Sequence, residues 1–80
     1  MTLAEAITKR INELLFEKGW SLYKLSKESG LPLSTIKNLY SGHTKSPTLS
    51  VIFKIARAFD MNHIEFLNNN IFFDEKLDFE

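Results

Sequence analysis

Leu3, Ile7, Ile11, Leu14 and Leu15 fall within about a third of a helical wheel, with polar residues between them, and predict an amphipathic first helix. Thr2 can cap its start and Gly19 can stop it, while Phe16 lies opposite the stripe and needs another partner. Ser21 then caps a helix of about two turns carrying Leu22 and Leu25 and closed by Gly30. Pro32 can open a helix but not continue one, and Leu33, Ile36, Leu39 and Tyr40 follow at helical spacing up to Ser41-Gly42. Residues 43–47 lack periodic apolar positions and read as a loop. Thr48 caps a fourth helix with an expected stripe of Leu49, Ile52, Phe53, Ala56 and Phe59. Asn62 and Glu65 have capping-box spacing for a short fifth, before Asn68-Asn69-Asn70. The pattern is all-α: one domain over residues 1–70 with a short C-terminal extension, residues 71–80.

The extension is of another kind. Leu77 and Phe79 alternate with Lys76, Asp78 and Glu80, as in an extended arm. Ile71, Phe72, Phe73 and Phe79 are too apolar for a solvated tail. Three arrangements stay open: folding back on its own domain, with Phe16 receiving Phe72 or Phe73; serving as a dimer arm; or docking on another protein. Phe66, Ile71, Phe72, Phe73, Leu77 and Phe79 form the expected dimer or partner contact.

Composition narrows the function. Eighty residues support one small core, and 44% hydrophobic with 25% charged residues is a folding composition. With no cysteine, neither disulfides nor thiolate metal sites hold the chain together. The two histidines, His43 and His63, have no ligand spacing, so no metal or cofactor is expected. There is no nucleophile elbow, glycine-rich phosphate cradle or paired-carboxylate pattern, so an enzyme is not expected. Apolar runs are too short for a membrane span and no signal pattern opens the chain, which points to a cytoplasmic protein.

The formal net charge of zero conceals an asymmetry. Residues 18–57 hold seven cations (Lys18, Lys24, Lys27, Lys37, Lys45, Lys54, Arg57) against the single acid Glu28, whereas residues 73–80 hold four acids against Lys76. A basic middle suits an anionic partner. In that middle, two short helices flank a glycine turn. Ser26 is small enough for close approach, Gly30 is permissive, and Leu31, Ile36 and Leu39 can lock the second helix from beneath, which are the demands of a DNA-binding helix-turn-helix. Trp20 reads as the seal between the first two helices.

The stretches "RINELL", "GWSLYKLSKESGLPLSTIKNLYSG" and "SPTLSVIFKIARAF", followed by "HIEFL", resemble the helix-turn-helix family of phage Cro and C1 repressors, the xenobiotic-response-element family, over residues 10–67. The resemblance implies a five-helix, lambda-repressor-like domain acting on double-stranded DNA as a prokaryotic or phage transcriptional regulator, commonly as a homodimer. Carried over by position, Leu33, Ser34, Lys37 and Asn38 match groove-facing places, and His43, Thr44 and Lys45 match the phosphate-touching loop. Asn38 can pair bidentately with adenine, Lys37 can donate to guanine or phosphate, and Leu33 can offer a thymine methyl only apolar contact. Tyr40 suits either backbone contact or packing. Where the family often has glutamine opening the bracing helix, this chain has Leu22, with Tyr23 and Lys24 as nearby substitutes. Two other readings stay open: an antitoxin whose tail binds a toxin, and a protein-interaction module of the same fold that does not bind DNA.

Overall fold

The computed structural model describes residues 1–79. Five α-helices form: α1 (Leu3–Lys18), α2 (Leu22–Ser29), α3 (Leu33–Tyr40), α4 (Leu49–Ala58) and α5 (His63–Leu67), followed by a 3-10 turn, Asn70–Phe73. Their ends follow local chemistry. The Thr2 hydroxyl accepts from the Glu5 N–H while the Glu5 carboxylate accepts from the Thr2 N–H, and Asn62 and Glu65 form the same reciprocal box for α5. Ser21 and Thr48 cap α2 and α4 through their hydroxyls.

The helices close on a core in which Ile11, Leu25, Ile36, Leu39, Ile55 and Phe66 are fully buried. Each comes from a different helix or a different turn of one, so no helix could hide its stripe alone. Trp20 packs at the edge of this core, its ring stacked 5.3 Å from that of Phe59, with Lys18 and Lys24 reaching over it. Arg10 crosses from α1 to the end of α5, donating from Nε to the Phe66 carbonyl at 2.8 Å and from Nη2 to that of Glu65 at 3.1 Å. It supplies a donor to the Phe66 carbonyl and a second one to that of Glu65, which also accepts from the Asn68 N–H.

Several expectations are corrected. The buried stripe of α4 is Ile52, Ile55, Ala56 and Phe59, an i, i+3, i+4, i+7 set, and Leu49 in the first turn is 65% exposed. Phe53 leaves the stripe to stack on the His63 ring at 4.3 Å. Phe66 is not a partner contact: it has no exposed surface, because α5 directs it into the centre of the bundle. Phe16 receives neither tail aromatic and stays 88% exposed.

The tail does fold back, but elsewhere. Phe72 packs against the core with its ring 6.4 Å from Phe66. The chain then turns, and Asp78 forms a single parallel bridge with Thr2: its N–H donates to the Met1 carbonyl and its carbonyl accepts from the Leu3 N–H. Alternation thus yields one bridge rather than a strand. Phe73 and Phe79 remain 62% and 70% exposed. No helix among the described residues is long and apolar enough to cross a membrane.

Candidate nucleic-acid interface

The turn between α2 and α3 is stitched by small polar groups. Gly30 takes φ +76°, and its N–H donates to the Ser26 carbonyl. The Ser26 hydroxyl donates to the Leu31 carbonyl at 2.6 Å, and the Ser29 hydroxyl accepts from the Leu31 N–H at 3.2 Å. Leu31 is thereby pressed into the core, which fixes where α3 begins. Ser26 serves close approach, as its size suggests, and also supplies a bond that alanine would lack.

Ile36 and Leu39 form the underside of α3. The upper face carries Ser34, Lys37 and Asn38, all exposed, with Leu33 half-buried beside them. Four residues expected to face a groove thus lie together at the surface or its edge on one short helix. Tyr40 is half-buried and turned toward α1, its hydroxyl donating to Asn12 Oδ1 at 2.8 Å.

Beyond α3 the loop is tied back to the helix it leaves. The Thr44 N–H and the Ser41 hydroxyl both reach the Asn38 carbonyl, and Ser41 Oγ lies 2.7 Å from His43 Nδ1. His43 and Lys45 are exposed and Thr44 half-buried. The loop adjoins the start of α1. The Glu5 carboxyl is held below its ordinary range first by the Thr2 backbone N–H and then by the Thr2 hydroxyl, with smaller help from the charges of the N-terminus and Lys45. On the bracing helix, Tyr23 is exposed beneath the Lys27 ammonium, and Lys24 pairs with Glu28 at 2.9 Å, which partly cancels its charge. Leu22 packs on the core, leaving the start of α2 without a polar side chain at that position.

A polar, exposed helix face with one lysine over an apolar underside, entered through a glycine turn, is the arrangement of a helix-turn-helix. The family model for the Cro/C1-type HTH DNA-binding domain matches residues 10–68. The chain belongs to that family. The Cro/C1-type match begins in the middle of α1 and runs just past α5, so it contains α2, α3 and the loop and stops short of the tail. This is a family of DNA-binding domains and not a class of enzymes. No curated protein matches the chain.

Two residues of α1, Thr8 just before the matched stretch and Asn12 within it, carry contacts that the sequence pattern does not reveal. Thr8 and Asn12, one turn apart at the edge of the α1 stripe, both bond to the last residue of α3. Their signal in the sequence is only an i, i+4 polar pair flanking an apolar face, which any surface helix can show.

Proposed function

We propose that the protein is a sequence-specific transcriptional regulator, a repressor, that binds duplex DNA in a prokaryotic cytoplasm as a homodimer. The observation that carries this reading is the exposed set Ser34, Lys37 and Asn38 on α3, within the Cro/C1-type match. Asn38 reads adenine, Lys37 meets guanine or phosphate, and Leu33 and Ser34 touch the groove beside them. His43, Thr44 and Lys45 meet phosphate, with Tyr23 and Lys24 at the opposite edge and Tyr40 contributing its ring edge.

A small domain with about four phosphate contacts is weakly held at cellular salt, since each neutralised phosphate adds to the salt dependence. A second copy doubles the contacts, and a two-fold pair would set its recognition helices about 34 Å apart on a palindromic site. Ile71, Phe73, Leu77 and Phe79 offer the pair an apolar surface, Phe72 contributing from its edge. The same exposed Phe73 and Phe79, among acids, favour a second reading in which the tail holds a protein such as a toxin.

Selection of bound sequences from random duplex DNA at two salt concentrations tests the main reading. An enriched motif is expected, with Asn38→Ala losing about 1–3 kcal/mol and relaxing one position of it. If nothing is enriched at low salt, the DNA reading fails. Sedimentation of the full chain beside a Phe73→Ser/Phe79→Ser variant tests the dimer, and co-purification of a small partner lost on deleting residues 71–80 would support the tail reading.

A further inference from the structure

Ile36 and Leu39, each 1% exposed, hold α3 from beneath. Apolar burial is non-directional: it opposes lifting the helix off the core far more than rolling it about its own axis. An asparagine amide reads a base edge only within a narrow range of distance and angle, so a reading helix needs its roll fixed by directional bonds. The bracing helix does not supply a polar group at its start, since Leu22 is packed into the core. The first helix supplies two.

Thr8 Oγ1 lies 3.1 Å from the Tyr40 carbonyl and 3.3 Å from the Leu39 carbonyl, so its hydroxyl proton is shared between the two. One turn along α1, Asn12 Oδ1 accepts from the Tyr40 hydroxyl at 2.8 Å. Tyr40 is therefore gripped at both its backbone and its side chain by one edge of α1. Asn38 lies two residues earlier, about 200° around α3 from Tyr40. Any roll that loosens Tyr40 swings Asn38 in the opposite direction. The Asn38 carbonyl also anchors the following loop through Thr44 and Ser41, so loop and reading face would move together.

We infer that Thr8 and Asn12 are positioning residues for sequence reading: acting through Tyr40, they set the roll of α3 and so the aim of Asn38 and Lys37. The inference rests on the DNA-binding role of α3 proposed above. It separates affinity from specificity, because phosphate contacts tolerate small displacements that base-edge contacts do not.

The test measures, for the full-length chain at one salt concentration, the ratio of dissociation constants for an unselected duplex and for the duplex enriched by the wild-type protein. Thr8→Val together with Asn12→Ala should lower this ratio by roughly ten-fold while leaving binding to unselected duplex within about two-fold. Thr8→Ser, which keeps the hydroxyl, should retain the wild-type ratio. If Thr8→Val does not fold, Asn12→Ala carries the test alone, since Asn12 is exposed and its loss removes only the acceptor of the Tyr40 hydroxyl. An unchanged ratio in a folded variant overturns the inference, as does an equal loss on both duplexes, which would mark a purely structural role. If the wild-type chain enriches no sequence, the DNA-binding reading falls and the inference with it; if it does and the variants match it, only the positioning role falls.

Discussion

Gly30 isolates the conformational demand of the turn. Nothing lies within 4 Å of where a Cβ would stand, yet φ is +76°, so an added methyl group would meet strain and no clash. Gly30→Ala should therefore destabilise the fold by about 1–2 kcal/mol, measured by urea unfolding, and Gly30→Asn by less, because asparagine tolerates the left-handed region. Equal stability of all three would show that the turn relaxes. Asp60 shows the complementary case: it takes φ +59° just past the end of α4, a conformation that acidic and amide side chains enter more readily than most. Exposure at single positions was the least legible property. Phe16, off the α1 stripe and expected to find a partner, is 88% exposed, whereas Phe66, expected at an outer contact, has no exposed surface.

The capping box of α1 sets a pH dependence at the level of the element. Glu5 titrates below its ordinary range, with the Thr2 backbone N–H the leading cause, so the folded state favours the carboxylate. The resulting stabilisation is fully present above the unfolded-state value, near pH ~4.3, and is lost as pH falls through the lower folded-state value. Glu5→Gln keeps an acceptor for the Thr2 N–H but cannot titrate. The wild-type advantage in melting temperature over Glu5→Gln should be constant near neutrality and shrink as pH drops from about 5 to 3. An advantage that persists in acid would show that charge plays no part. Helix boundaries were readable because each cap side chain and the backbone N–H that donates to it lie within three residues. The rotation of α4 was not. Leu49 extends the same periodic row as Ile52, Ala56 and Phe59, and only the reach of neighbouring helices leaves it uncovered.

For the whole molecule, the tail is part of the fold it follows. Phe72 covers one side of Phe66, and Asp78 ties residues near the two ends of the chain together through the Met1 carbonyl and Leu3 N–H. Truncation after Asn70 should lower stability by about 2 kcal/mol, the scale of uncovering one large apolar side chain, and shift the urea midpoint downward. An unchanged midpoint would mean that the tail contributes nothing to the monomer. Charge is arranged at the same scale: the basic middle carries α2 and α3, while the acids of the tail follow the matched domain.

The sequence by itself determined the number and kind of helices, their caps, the glycine turn and the family, because each depends on periodicity or on groups a few residues apart. Tertiary structure alone decided which apolar residues are covered, where the tail docks and what steadies α3. The bonds from Thr8 and Asn12 to α3 span 28 to 32 residues, and those from Arg10 to α5 span 55 and 56. Residues so far apart meet only through the joint packing of several helices, whose relative rotation is set by fitting all their side chains into one core.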